Sequence, residues 1–310
     1  MESSQNIKTR LKSINNIGQI TKAMELVAAT KMRKSQEIAL LSRPYSYAAL
    51  ELLANISARQ ENLPKLLRKR EIKKTAFVLV TSDKGLAGSF NSAVIRLFEK
   101  YARENNIDPK DDKYYFIAIG KKAATYLQNK GLKVAEKFVR VGDHTTPKQT
   151  NAVSDFISDG YLNEDWDEVI VFSTYFKSAL RQEVLARRLF PVELASIKKS
   201  VEEIIPSTGR FSEFRKGQNS LMRIDDYTIE PSPMAILKKL ALHLVRMSFY
   251  HLILETNASE YAARRVAMKN ASDNAKELSD TLTLQYNKSR QANITRELTE
   301  IVSSIESLNN

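Results

Sequence analysis

From Met234 to Asn310 the chain contains neither glycine nor proline, and Pro231 and Pro233 stand directly before that run. Proline fits the first turn of a helix but not its interior, so the pair marks a helix start. Read as one helix, the run is on the order of 115 Å long at 1.5 Å per residue. A helix of that length cannot bury one face along a single domain of this mass. It has to act on something else, and its length is the first clue to function.

The other strong helical signal lies at the opposite end. Ile7, Leu11, Ile14, Ile17, Ile20, Met24 and Val27 recur at gaps of three and four, the stripe of a helix packed on one neighbour. The pattern continues through Ala48, Leu52, Leu53 and Ile56, with a bend expected at Pro44. Gly18 aside, every glycine falls between Gly85 and Gly217, so the order is helix, globule, helix. In the globule, residues 75–82, 114–120 and 168–174 are short β-branched apolar runs. They alternate with helical patterns near 91–104, 121–129 and 149–161, which is the grammar of a mostly parallel sheet covered by helices. Periodicity does not choose between strand and helix for 179–192, and 198–226 reads as loop.

The expected fold is therefore α/β: an antiparallel coiled coil of long N- and C-terminal helices attached to a Rossmann-like, mostly parallel α/β domain. The expected divisions are 1–59 for the first helix, 60–233 for the α/β domain and 234–310 for the second helix. If the helices meet the globule side by side, residue 5 lies opposite about residue 287 and about 22 residues of the second helix extend beyond the first. There Ile294, Leu298, Ile301, Val302, Ile305 and Leu308 form an apolar stripe with no partner in the chain. Another protein is needed to sheathe it. Ala258, Ala262, Ala263, Ala267, Ala271 and Ala275 let the paired part approach closely.

Composition excludes several functions. There is no cysteine, hence no disulfide, thiolate metal site or thiol switch, and His144, His243 and His251 show no metal-binding spacing. No catalytic carboxylate pair or Ser/His/Asp set can be assembled from spacing, so no catalytic, cofactor or metal site is expected. The loop from Thr81 to Asn91, TSDKGLAGSFN, follows a strand and opens a helix, where phosphates often bind. It lacks both the P-loop and the dinucleotide spacing and reads as a plain turn. The net charge of +12 predicts an acidic partner. Three classes fit: a mechanical coupling subunit, an enzyme with a recognition arm, and a nucleic-acid-binding or scaffolding coiled coil. An enzyme would need an active site, and a nucleic-acid binder would need aromatics interleaved with the basic residues.

Four segments decide among these: ITKAMELVAATKMRKSQ (20–36), TSDKGLAGSFN (81–91), NASEYAARRVAMKNASDNA (257–275) and YNKSRQANITRELTEIV (286–302). Together they closely resemble the gamma subunit of the F-type ATP synthase, the central rotating stalk. The resemblance covers both ends and the start of the globule; residues 100–230 support it only through their βαβ pattern. It implies a non-catalytic rotor with no cofactor, whose C-terminal tip sits in a ring of alpha and beta subunits. It also implies a foot beside epsilon and the c-ring, with one copy per complex, no nucleic acid and membrane association only through the complex. ATP chemistry belongs to beta.

By the same resemblance, Arg290, Gln291, Thr295 and Glu297 match the contact with a catch loop of beta, while Arg264 with Lys31, Arg33 and Lys34 matches the lower shaft facing an acidic loop. Met24 matches the position passing that region. The sequence departs from the family at Ser303, Ser304 and Ile305, where small Gly and Ala are usual, at Ile17 and Gly18, and at Ala87 and Ser89. The start at Met1 without an Arg-rich presequence favours the cytoplasmic face of a bacterial plasma membrane over a mitochondrial matrix face.

Overall fold

The structure is a computed structural model that describes residues 4–58, 63–141, 146–192 and 230–308. The loop expected at 198–226 lies outside the described residues, as does His144. Helix α1 spans Ser4–Ala58 and continues across Pro44 as one element. The sheet strands are β1 (Thr75–Val80), β2 (Tyr114–Ile119), β3 (Val134–Phe138), β4 (Glu168–Phe176) and β5 (Gln182–Phe190). Between them lie α2 (Phe90–Glu104), α3 (Lys121–Asn129) and α4 (Pro147–Leu162), and the chain closes with α5 (Pro233–Leu308). These elements form two compact units, Met1–Ala28 with Arg265–Asn310, and Ala29–Arg264.

In the larger unit the sheet order is β3-β2-β1-β4-β5, parallel except for β5. Strand alternation sends the two sides of β1 into separate cores. Phe77 and Leu79 meet Phe98 of α2, Leu127 of α3, Phe116 and Phe172, an aromatic cluster with ring centroids 5.5–5.8 Å apart around Phe98. Ala76, Val78 and Val80 face Ile157 and Tyr161 of α4, Leu53 and Ile56 of α1, and Leu244, Phe249 and Ile253 of α5. The segment left open at 179–192 is β5, an antiparallel edge strand whose sides alternate in exposure. Strand β3 was not legible: VAEKF is neither apolar nor alternating, and it is a strand only because β2 offers an open edge.

Two glycines are required by geometry. Gly120 ends β2 with φ of +89°, and a Cβ there would sit 2.2 Å from the Thr81 carbonyl oxygen. A Cβ on Gly160 would meet the ring of Trp166, the only tryptophan, at 2.0 Å. Trp166 is buried, and its indole N–H donates to the Ile157 carbonyl at 3.0 Å.

In the smaller unit the buried seam differs from the expected stripe. On α1 it runs through Ile7, Leu11, Ile14, Gly18, Thr21, Glu25 and Ala28, and on α5 through Met268, Ser272, Ala275, Ser279, Leu282 and Tyr286. Both alternate steps of three and four, the heptad pattern of a coiled coil. The helices are antiparallel in register: Ser279 donates to the Asn15 side chain at 2.7 Å, and a Cβ on Gly18 would be 3.5 Å from that of Ala275. Ile17, Ile20 and Val27, expected in the seam, are 48%, 58% and 56% exposed. Two neighbouring rows share the three-and-four spacing, and beyond Ile14 the seam takes the one through Gly18, Thr21, Glu25 and Ala28, although it is the less apolar. Glu25 sits buried in the seam with its carboxylate 2.8 Å from the Lys22 ammonium.

Gly160→Ala is expected to destabilise the fold by about 1–3 kcal/mol and shift Trp166 fluorescence to the red; unchanged emission and urea midpoint count against the packing argument. Acid weakens the coiled coil in a defined direction. The hydrogen bond from Lys22 holds the Glu25 carboxyl below its ordinary value of 4.5, and Arg265 and Lys269 add attraction. Because the folded-state value is the lower one, this contribution is present above pH 4.5 and disappears as pH falls through the folded value. Glu25→Gln is expected to flatten that loss in an acid titration followed by helical circular dichroism. An acid transition identical to the wild type would exclude Glu25 as its source.

Candidate partner interface

In doubly wound sheets ligands bind beyond the carboxyl ends of the strands, where the strand order reverses. Here that place is the gap between β1 and β4, and the loop after β1 is tied to the neighbouring elements by the protein's own groups. After β1, the Thr81 hydroxyl accepts the Ala123 N–H at 2.8 Å, the Ser82 carbonyl accepts from Lys122, and Asp83 accepts the Lys121 N–H at 3.0 Å. The donors at the start of α3, free for an anion elsewhere, are therefore occupied. Asp83 also accepts the Arg140 N–H, and Asn91 accepts the Ser82 N–H. Helix α5 adds two further ties. Ser259 donates to the Thr174 carbonyl of β4, and Arg264 donates to the Gly85 carbonyl at 3.2 Å. Among the described residues no group of His, Asp and Glu could hold a metal ion. No helix is long and apolar enough to cross a membrane among the described residues.

The residues expected to meet partners fall into two environments. Around Tyr261, the Lys31 ammonium lies 5.4 Å and the Arg264 guanidinium 5.7 Å from the ring centre. Arg264 is 8% exposed and committed within the chain, to Glu260 at 2.6 Å as well as to Gly85. Arg33 and Lys34 are exposed beside them on α1. In the other environment Arg290, Gln291, Thr295 and Glu297 are all exposed on α5, with the Thr295 hydroxyl returned to the Gln291 carbonyl. Met24 is half-buried on α1.

Sequence reasoning missed the organiser of the first group, Tyr261. Its signal was the YAARR run, with Arg264 three residues on, close enough to stack on the ring. It also missed that Ile17, Ile20, Leu26, Val27 and Leu284 face outward, while it did expect the exposed stripe at the end of α5. Besides Ile17, Ile20 and Val27, the residues Leu26, Leu284, Ile294, Leu298, Ile301 and Val302 are between 45% and 73% exposed. The stripe expected at the end of α5 is thus uncovered at its four described positions; the side chains of Ile305 and Leu308 lie outside the described residues. Exposed apolar rows on this scale mark an interaction surface.

The comparisons agree. A family model described as ATP synthase matches residues 3–308. The sodium-ion-specific ATP synthase gamma chain of Acetobacterium woodii is 37% identical, over 99% of each chain. The ATP synthase gamma chain of Polynucleobacter asymbioticus is 36% identical over 97% of this chain and 98% of its own. Among solved structures, a chain of the Euglena gracilis mitochondrial ATP synthase, in a structure of OSCP, F1 and c-ring, aligns with a TM-score of 0.62. It is 17% identical, and the alignment covers 98% of this chain and 94% of that one, a likeness of fold. These relationships leave the nucleic-acid and scaffold readings without support, and the chain belongs to the gamma chain family of the ATP synthase, the central stalk subunit of that complex.

Proposed function

We propose that this chain turns as the axle of an F-type ATP synthase, linking ion flow through a c-ring to the catalytic beta subunits. The observation that carries this reading is the coiled coil with a partly polar seam and with apolar residues set among the charged ones on its exterior. A helix pair that existed only to hold itself together would place Ile17, Ile20 and Val27 inside; this one turns them outward. A ring of alpha and beta subunits supplies the cover. An asymmetric axle presents a different side to each of three beta subunits and so favours a different conformation in each, and rotation moves those populations in sequence.

In this reading Arg290, Gln291, Thr295 and Glu297 meet a catch loop of beta and make polar contacts that form and break with angle. Arg33 and Lys34, exposed, meet an acidic loop of beta, with Met24 passing nearby. Lys31 and Arg264 shape that region through Tyr261. Residues 60–233 serve as the foot beside epsilon and the c-ring, with 1–59 and 234–310 as the shaft helices. One copy serves each complex, on the cytoplasmic face of a bacterial plasma membrane. The internally tied loop at the crevice between β1 and β4 fits a subunit that leaves ATP chemistry to beta.

The test is reconstitution. The purified chain is expected to hydrolyse no ATP and to co-purify with alpha, beta and epsilon; turnover surviving removal of beta counts against the axle reading. Deleting residues 301–310 is expected to weaken assembly or torque while Trp166 emission, reporting the α/β fold, stays unchanged. Arg290→Ala is expected to lower coupled ATP hydrolysis by about two- to tenfold, because polar contacts at a partner surface carry roughly 0.5–1.5 kcal/mol each.

A further inference from the structure

Within the larger unit, three charged contacts hold α5 and are evenly spaced along it. Arg246 makes a two-pronged pair with Asp155 of α4, Nε to Oδ1 at 2.6 Å and Nη2 to Oδ2 at 3.0 Å. Glu255 accepts from Arg187 of β5 at 3.0 Å, and the Arg187 guanidinium also lies 5.3 Å from the ring centre of Tyr175 on β4. Arg264, braced by Glu260, donates to the Gly85 carbonyl in the loop after β1. The helix positions 246, 255 and 264 are nine residues apart, which is about two and a half turns, or a rise of about 13.5 Å. Successive contacts therefore leave the helix on opposite sides.

The sheet order agrees with that alternation. Ser259 donates to Thr174 of β4, which places β4 beneath α5. β1 and β5 are the two neighbours of β4, so Gly85 after β1 pulls on one flank and Arg187 of β5 on the other. Between the contacts, residues 251–260, HLILETNASE, are buried at every position. Apolar packing of such a segment resists its removal but is not directional and sets rotation about the helix axis weakly. Bidentate or charge-assisted hydrogen bonds have fixed geometry and set it strongly.

We propose that Arg246–Asp155, Arg187–Glu255 and Arg264–Gly85 form an anti-roll clamp that fixes the angular phase of α5 in the α/β domain, with Asp155, Arg187, Arg246 and Glu255 as positioning residues for torque transfer. Contacts on one side alone let a helix roll in its groove; contacts on alternating sides carry a force couple. The proposal rests on the axle reading above, since only a chain that transmits torque needs such a clamp.

The experiment uses the assembled complex and reads ions pumped per ATP hydrolysed against an opposing gradient, beside hydrolysis without load. Glu255→Gln combined with Asp155→Asn is expected to lower pumping under load at least about twofold while unloaded hydrolysis holds, because buried and half-buried pairs keep their strength only when both partners remain. The charge exchange Arg187→Glu with Glu255→Arg restores pumping. Arg246→Lys, at the most exposed of the three contacts, loses the two-pronged geometry but not the charge and lowers loaded pumping in the same direction without risk to folding. Pumping under load equal to wild type, with only a lowered thermal midpoint, overturns the clamp and leaves the pairs as structural ties. Failure of the charge exchange to restore pumping overturns it as well. If the complex with the unaltered chain assembles but shows no ATP-driven pumping, the axle reading fails first, a result recognisable because no variant is involved.

Discussion

The structure depends on burying a polar stretch of helix. Over residues 251–260 α5 has no solvent-facing side, yet Glu255, Thr256, Asn257, Ser259 and Glu260 are among the enclosed residues. Burying charge without a partner is costly, so each such group constrains what surrounds it. Arg187 must come from β5 to meet Glu255, Arg264 must fold back on Glu260, and the Thr174 and Gly85 carbonyls must be available as acceptors. The same enclosure acts on His251, whose burial lowers its pKa to about 4 and keeps the imidazole neutral near neutral pH. A helix bound only by leucines could settle at several rotations; this one cannot.

That requirement also explains an unused site. The carboxyl ends of β1 and β4 form the crevice that a doubly wound sheet offers to nucleotides. In this chain Thr81, Ser82 and Asp83 satisfy the start of α3, and Ser259 and Arg264 of α5 donate to the Thr174 and Gly85 carbonyls beside β4 and β1. The architecture is retained while those groups are bonded within the same chain. The fold hosts mechanical work in the place where related topologies host chemistry.

Much of this was legible in the residues. The gap-free run after Pro233 is one helix, the three β-branched runs are three adjacent parallel strands, and an antiparallel register putting residue 5 near 287 agrees with Asn15 facing Ser279. What could not be read was which of two equally spaced rows faces inward. Ile17, Ile20 and Val27 are more apolar than Gly18, Thr21 and Glu25, so hydropathy chose the wrong row. Where apolar residues are also exposed on the outside, apolarity no longer distinguishes inside from outside. Strand β3 escaped for a different reason, since its pairing is imposed by the exposed edge of β2 and not by its own side chains. The contacts Arg264 makes within the chain, to Glu260, Tyr261 and Gly85, were not legible from its charge alone.

The meeting of Gly18 with Ala275 has a dimensional outcome. With no side chain on Gly18, a Cβ added there would already touch the Ala275 Cβ at 3.5 Å, so any larger residue at 18 would have to push α1 and α5 apart. The spacing of the two helices at that level is thus set by the absence of a side chain, which hydropathy does not score.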